Sequence, residues 1–432
     1  MHVARLAPAF EALEDTRRLG PQLGVDSERI FTISYGEGSG RFSAPQTLPA
    51  EGDVRSVAVA EVNEDGLPDL IYSVQRQSSG IRVLLNQPGR QWKAGKGPTE
   101  INKYEGLRAA DLNGDGHIDI VAANASSDLQ GGIQIWWGTG RGSWAPGLNP
   151  TVTGTYMDVA VADFNGDGVL DLAGAGWGTH GSLRIWLGNG GGHWTAVDPV
   201  GTGNFYALSA ADLNNDGRLD LAAGTYKTGI RIFHGDGRGG FDEKMRVKTQ
   251  RPEEASGDGA VVQTLESLDR ETSFWQGLPV DLNGDGWTDI VAGSLDHQGV
   301  YAWLNQPGKG RAPYAQELPR SGNFYGLAAA DLDGDGSIDV AVSYEHEIRL
   351  YGRSAGGPFE LEATLPAVGD VAGAPDIDRD GRPDILTTRA VLRNLGDWKL
   401  KPVGNLPGGG PVVAADLDGD RDLDLASVER PG

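Results

Sequence analysis

The chain has no cysteine, which excludes disulfides and thiolate metal sites and leaves the redox compartment unreadable from composition. No apolar run approaches the ~18 residues of a membrane span, so membrane insertion is not expected. The first twenty residues, MHVARLAPAFEALEDTRRLG, show no apolar core of a signal peptide. Basic residues are few: 37 Lys plus Arg face 60 Asp plus Glu, for a formal net charge of −23 over 432 residues. So acidic a surface does not suit a phosphate backbone, and no nucleic-acid partner is expected. Disorder is excluded as well, because 39% of the residues are hydrophobic and they fall in short, regular blocks. What the chain has in excess is glycine, 66 residues, roughly twice the usual ~7%.

Length alone suggests about three domains at roughly 150 residues each, but internal repetition replaces that expectation. A nonapeptide recurs eight times: EVNEDGLPD from Glu61, DLNGDGHID from Asp111, DFNGDGVLD from Asp163, DLNNDGRLD from Asp212, DLNGDGWTD from Asp281, DLDGDGSID from Asp331, DIDRDGRPD from Asp376 and DLDGDRDLD from Asp416. The start-to-start spacings are 50, 52, 49, 69, 50, 45 and 40 residues. Before each copy lies an alternating apolar segment such as VRSVAVA or FYALSAA, and after it a second β-type run such as DLIYSV or DIVAAN. Period-two alternation at this length is the strand signature. A third strand follows, often with a Gly-rich hairpin and an aromatic, as in IQIWWGTGRGSW (133–144) and LRIWLGNGGGHW (183–194). Units of about 50 residues with three or four antiparallel strands are propeller blades.

The termini predict how the ring closes. RIFTISYGEGSGRF (29–42) is a third strand with its hairpin but without the two strands that should precede it, whereas the last nonapeptide has those two strands and then the chain stops. The fold class expected is therefore all-β: an eight-bladed propeller of four-stranded antiparallel blades, one blade built from both termini so that no sheet edge is left free. Seven blades are the alternative, because the last two units are short. Residues 1–27 form an N-terminal extension with a short amphipathic helix expected around Pro8–Leu19. Residues 28–432 form a single propeller, and the charged segment 242–271 accounts for the 69-residue spacing as an insertion loop.

The nonapeptide carries the chemistry. Oxygen side chains at positions one, three and five, glycine at six and aspartate at nine make a cage for a hard cation; Ca2+ takes six to eight oxygens. Position seven varies because its backbone carbonyl would serve, and glycine supplies a positive φ without a steric penalty. An EF-hand needs a bidentate Glu at position twelve, where this chain has Tyr72, Ala122, Gly174, Ala223, Ala292, Val342, Thr387 and Ser427. The loops are therefore β-hairpin calcium loops between the first two strands of each blade. Held by Ca2+, their aspartates would be ionised and occupied, so a structural role is expected of them and no acid–base catalysis.

Loops of this DxNxDGxxD type between strands resemble the FG-GAP or VCBS repeats of the integrin α-chain propeller and of many secreted bacterial proteins, over residues 28–432. The resemblance implies an extracellular or periplasmic calcium-binding module with about six to eight Ca2+ sites; a monomer is expected. Carried over position by position, it implies ligand sets of Asp111, Asn113, Asp115 and Asp119; of Asp163, Asn165, Asp167 and Asp171; of Asp212, Asn214, Asp216 and Asp220; and of Asp281, Asn283, Asp285 and Asp289. The sets Asp331, Asp333, Asp335 and Asp339, and Asp376, Asp378, Asp380 and Asp384, match equally well. In the first copy (Glu61, Asn63, Asp65, Asp69) a glutamate leads, and in the last (Asp416, Asp418, Asp420, Asp424) Arg421 replaces the glycine, which adds strain and positive charge. Six full sites, one altered and one weak or empty are expected. The eight nonapeptides hold 29 of the 60 acidic residues, so the acidity of the chain is largely ligand inventory.

If the calcium loops lie at one end of the first strand, its start lies on the opposite face. Six or seven residues before the leading acid stand Tyr104, Tyr156, Tyr206, Trp275 and Tyr325, and the loop after the second strand contributes Trp177, His180, Tyr226, His297, Tyr344 and His346. Such aromatics either pack between blades or form a rim that binds a glycan or protein. Two functions are consistent with that rim. One is a non-catalytic extracellular binding or adhesion module. The other is a polysaccharide lyase using a His, Tyr or Lys base, although no arrangement in the sequence singles out a catalytic residue.

Overall fold

A computed structural model describes residues 29–50, 52–75, 79–99, 101–126, 131–178, 181–197, 200–226, 229–247, 274–294, 299–305, 314–319, 324–353, 357–406 and 409–429. Eight antiparallel sheets follow one another along the chain. Blade one contains Asp53–Ala60, Asp69–Gln75, Gly80–Gln87 and Gln91–Ala94, and blade two Tyr104–Ala110, Asp119–Asn124, Gly132–Gly138 and Trp144–Pro146. Blade three contains Thr155–Ala162, Asp171–Trp177, Ser182–Gly188 and Trp194–Ala196, with the short Gly201–Thr202 added against its third strand. Blade four contains Phe205–Ala211, Asp220–Thr225, Ile230–Gly235 and Phe241–Val247. Blade five is Phe274–Val280, Asp289–Ser294, Val300–Leu304 and Tyr314–Glu317, and blade six Phe324–Ala330, Asp339–Tyr344, Glu347–Gly352 and Glu360–Pro366. Blade seven is Val371–Gly373, Ile385–Thr387, Ala390–Asn394 and Leu400–Asn405.

Blade eight joins the two ends of the chain. Val412–Ala415 and Asp424–Val428 supply its first two strands, and Arg29–Ser34 and Gln46–Ala50 the other two. Phe31 lies opposite Val428 and Ile33 opposite Ala426. The ring therefore has eight blades, closed as the incomplete terminal units require, and the seven-bladed alternative falls away.

Burial explains the sequence texture. Second strands such as Asp119–Asn124 and Asp220–Thr225 are buried at every residue, because each is covered by both neighbouring blades, and they read as nearly continuous apolar runs. The outer strand Glu360–Pro366 alternates exposed and half-buried residues, the pattern of a sheet edge facing water. Hydrophobic clusters fill the joints: Tyr104 and Trp136 with Ile71 and Ile81 between blades one and two, Phe205 and Phe233 with Phe164 and Ile185 between blades three and four, and Phe31 and Val428 with Val54 and Leu70 across the closure. Each such fully buried side chain contributes about 1.5–3 kcal/mol of burial energy. Trp136, Trp186 and Trp303 lie in the joints between blades one and two, two and three, and four and five.

Of the segment 242–271, Asp242–Val247 belongs to the outer strand of blade four, paired with the third strand from Ile230. The remainder of that segment, and the N-terminal extension with its expected helix, lie outside the described residues.

Candidate functional site

The acidic loops join the first and second strands of each blade and share one local design. The leading aspartate folds the chain onto itself: Asp163 Oδ1 accepts from the amide of Gly166 at 2.7 Å and Oδ2 from that of Gly168 at 2.8 Å. Asn165 accepts from the amide of Asp167, and Asp167 from that of Val169. Position six is left-handed in every copy, with φ from 78° to 89°; it is glycine in seven loops and Arg421, at 78°, in the eighth. Position four is left-handed throughout as well, at Glu64, Gly114, Gly166, Asn215, Gly284, Gly334, Arg379 and Gly419. The glycines at five of these places were the available signal for that second constraint.

The ninth residue has a structural part in the fold. Asp69, Asp119, Asp171, Asp220, Asp289, Asp339, Asp384 and Asp424 are all buried. One oxygen accepts from the amide of loop position two, as Asp119 does from Leu112 at 2.9 Å, and the other from the end of the third strand, as from Gly138 at 2.8 Å. Asp339 alone departs: its Oδ1 is buried without a hydrogen-bond partner. Burial, reinforced by the neighbouring loop carboxylates, raises all eight carboxyls above their ordinary value of 3.8, to about 6 for Asp69, Asp119, Asp384 and Asp424 and to about 7 for Asp289 and Asp339.

In loops six, seven and eight, three carboxylates each place an oxygen within 4.8 Å of the others: Asp331, Asp333 and Asp339; Asp376, Asp378 and Asp384; and Asp416, Asp418 and Asp424. Hard oxygen donors converging in this way can hold a metal ion. The orphaned Asp339 oxygen supports that fit in loop six.

The opposite rim is shaped by a device that period-two alternation conceals. In blades one to seven the pairing between first and second strands slips near the start of the first strand: between Val54 and Ser56, Tyr104 and Leu107, Tyr156 and Asp158, Phe205 and Ala207, Phe274 and Gln276, Phe324 and Gly326, and Val371 and Gly373. A bulge re-aims the residue it leaves unpaired. Arg55, Met157, Tyr206, Trp275 and Tyr325 hold that place in five blades.

This sorts the aromatics expected on the rim. Tyr104 is fully buried, edge-on to Trp136 at 5.6 Å, and burial pushes its hydroxyl up to about 12. Tyr156 is buried 5.8 Å from Trp186, and the buried Tyr344 hydroxyl meets that of Tyr351 at 3.1 Å. Expected as ligand contacts, these three belong instead to the packing of the blades: Tyr104 and Tyr156 stand just before their bulges and turn into the joint, and Tyr344, at the end of the second strand of blade six, packs into the same cluster as Tyr351. Tyr325 and His346 are exposed. His180 and His297 lie outside the described residues, as does the side chain of Trp275.

Three rim aromatics come together from two blades. Trp177, ending the second strand of blade three, lies 4.5 Å from Tyr206 and 5.4 Å from Tyr226, centroid to centroid. Tyr206 and Tyr226, both of blade four, are 6.3 Å apart and nearly perpendicular. Asn204 ties the loops beneath them, its side-chain oxygen accepting from Gly178 at 2.9 Å and its carbonyl from the amide of Tyr226 at 2.9 Å. Trp177 and Tyr226 are half-buried, whereas Tyr206 is mostly covered.

Among known proteins, a family model described as an FG-GAP-like repeat matches residues 62–122, 111–174, 175–223, 281–342 and 331–387, more than half of the chain. Integrin alpha-6 of Homo sapiens is 33% identical over 151 aligned residues, covering 29% of this chain; the match spans 13% of that integrin's length. Among solved structures, an Agrocybe aegerita lectin specific for non-reducing terminal N-acetylglucosamine aligns with TM-score 0.47 and 18% identity, over 79% of this chain and 90% of its own. A Burkholderia pseudomallei lectin aligns with TM-score 0.49 and 13% identity, over 82% and 99%. No helix among the described residues is long and apolar enough to cross a membrane.

Proposed function

The chain belongs to the FG-GAP-like repeat family, and on that basis we propose that it is a calcium-stabilised extracellular module of binding or adhesion, recognising a glycan or protein through the face opposite its acidic loops. The observation that carries the ligand face is the cluster of Trp177, Tyr206 and Tyr226. Partly open aromatic planes with polar tips pack against the apolar face of a sugar ring or a peptide side chain and hydrogen-bond at their edges. The cluster stands on loops braced by Asn204 and carried by rigid sheets, the setting in which binding residues are held in place at low entropic expense.

The acidic loops serve this face indirectly. Positions one, three, five and nine of a loop, for example Asp331, Asp333, Asp335 and Asp339, would hold Ca2+, which supplies positive charge and stiffens the turn. Binding only the folded form, it stabilises the ring by mass action. The millimolar affinities of extracellular calcium modules suit short loops of this kind. The ring acts as a monomer, and its net negative charge keeps nucleic acid away.

The test is a glycan array with the full chain in Ca2+, followed by titration of the best glycan or of a candidate protein ligand. Trp177→Ala should weaken binding about tenfold or more, ~1.4 kcal/mol or more for truncating an interface aromatic, in a chain that still unfolds cooperatively well above the assay temperature. Unchanged affinity would remove the cluster from the ligand face. Unsaturated uronides released from acidic polysaccharides would replace the binding reading with the lyase one.

A further inference from the structure

We propose that in blades seven and eight the acidic loop is closed by an arginine guanidinium in place of a divalent cation. The proposal rests on the reading of the other loops as Ca2+ sites and concerns the two loops whose surroundings do not fit it.

Position three is asparagine in the first five loops and aspartate in the last three, at Asp333, Asp378 and Asp418. In two of those three an arginine answers the added charge. Arg393, on the third strand of blade seven, ion-pairs with Asp378, whose side chain is wholly buried, and stands 3.6 Å from Asp380. Arg382 of the same loop ion-pairs with Asp380. Arg90 follows the third strand of blade one and reaches across the ring closure to blade eight. Its Nη2 lies 2.6 Å and its Nε 2.8 Å from Asp418 Oδ2, with Asp420 at 3.8 Å. It does so from a left-handed backbone, φ 63°, with its guanidinium 4.4 Å over the ring of Tyr35. Arg379 of loop seven then reaches Asp422 of loop eight at 3.7 Å.

Loop six has the same four carboxylates and a different environment. Among the described residues no ion pair reaches Asp331, Asp333, Asp335 or Asp339, so the buried Asp339 Oδ1, which has no hydrogen-bond partner, faces no cation. The buried Asp378 Oδ2 of loop seven, also without a hydrogen bond, is met instead by the charge of Arg393. Calcium affinity follows the net charge of the cage as well as its oxygen count. A planar, permanently charged guanidinium that already occupies the third-position carboxylate removes both a donor and the attraction. The consequence is a ring of two kinds of loop. Those of blades seven and eight, beside the closure, stay ordered without an ion, and the others respond to Ca2+.

The full chain tests this in two arms. Bound Ca2+ per chain, measured by equilibrium dialysis and metal analysis, should fall by about one ion in Asp333→Ala, which removes the third-position oxygen donor altogether, and stay at the wild-type value in Asp378→Ala and Asp418→Ala. In Arg90→Gln and Arg393→Gln it should rise by about one ion each. Loss of an ion in either Asp378→Ala or Asp418→Ala, or unchanged loading in folded arginine variants, overturns the proposal. The second arm is melting in EDTA: Arg90→Gln and Arg393→Gln should melt lower than wild type and regain the loss on adding Ca2+, which Arg55→Gln on the opposite face should not. Wild-type protein that takes up no Ca2+ would defeat the calcium reading of the other loops. The EDTA melts would still decide the arginine closure, which an unshifted melt contradicts.

Discussion

The side-chain amide of Asn86 donates to the backbone carbonyl of Leu417 at 2.5 Å, a contact between blade one and blade eight at the point where the ring closes. The backbone amide of Asn86 donates in turn to Asp69 Oδ1 at 2.7 Å. One residue thus ties the acidic loop of its own blade to the loop of the blade before. Asn394 repeats the arrangement, its backbone amide donating to Asp384 Oδ1 at 2.8 Å and its side-chain amide to the Leu332 carbonyl at 2.7 Å, and the side-chain amide of Asn305 donates to the Leu213 carbonyl.

Removing that tie should loosen the closure. Asn86→Ala leaves the buried Leu417 carbonyl without this donor, a loss of about 1–3 kcal/mol. Thermal melting should show a lower midpoint, and hydrogen exchange should rise first in the terminal strands Arg29–Ser34 and Asp424–Val428. Exchange rising uniformly around the ring would contradict the local role.

Arg421 occupies a left-handed position held by glycine in the other seven loops. Its side chain is exposed, so nothing evident is lost with it. Arg421→Gly should relieve backbone strain and stabilise the protein by about 1 kcal/mol, seen as a raised midpoint in denaturant at unchanged slope.

Tyr104 and Tyr325 occupy adjacent repeat positions, one before the bulge and one at it, and should behave oppositely. Tyr104→Ala empties part of the joint between blades one and two and should cost about 3–5 kcal/mol. Tyr325→Ala, at an exposed site, should change stability by no more than about 0.5 kcal/mol. Urea unfolding of the two variants checks the contrast.

That contrast marks where sequence was and was not sufficient. The eight units, the loops and the shared terminal blade were legible because a turn with two left-handed positions and a ladder of oxygens tolerates few residue types, and because missing strands can be counted. The sorting of the aromatics was not legible. Tyr104 and Tyr325 differ by one place relative to the bulge, and the bulge is a matter of hydrogen-bond register, which apolar alternation does not encode. Trp177 meets Tyr206 and Tyr226 only because blades three and four abut. Asn86, Arg90 and Arg393 act on loops near or far in sequence through the order of the blades, and no local pattern announces them.

The ninth-position carboxyls set the pH response in the absence of metal. Their folded values, about 6 to 7 where they are largest, lie above the ordinary 3.8, so between these limits the folded chain binds more protons than the unfolded one. Their contribution to stability is complete below about pH 4 and is lost as pH rises through 6 to 7. In EDTA the melting midpoint should therefore fall from pH 5 to pH 8, and the gain from Ca2+ should grow over the same interval as the ion replaces those protons. A midpoint in EDTA that rises with pH would contradict this sign.

The proposed function requires that the acidic loops hold Ca2+ and that Ca2+ stabilises the ring. Scanning calorimetry of the full chain at pH 7.5, with millimolar Ca2+ and with EDTA, tests it most directly. Each occupied site at a hundredfold excess over its dissociation constant contributes about 2.7 kcal/mol, so several sites should raise the midpoint well above that in EDTA, reversibly and more than Mg2+ does. Coincident melts in Ca2+ and EDTA would contradict the account.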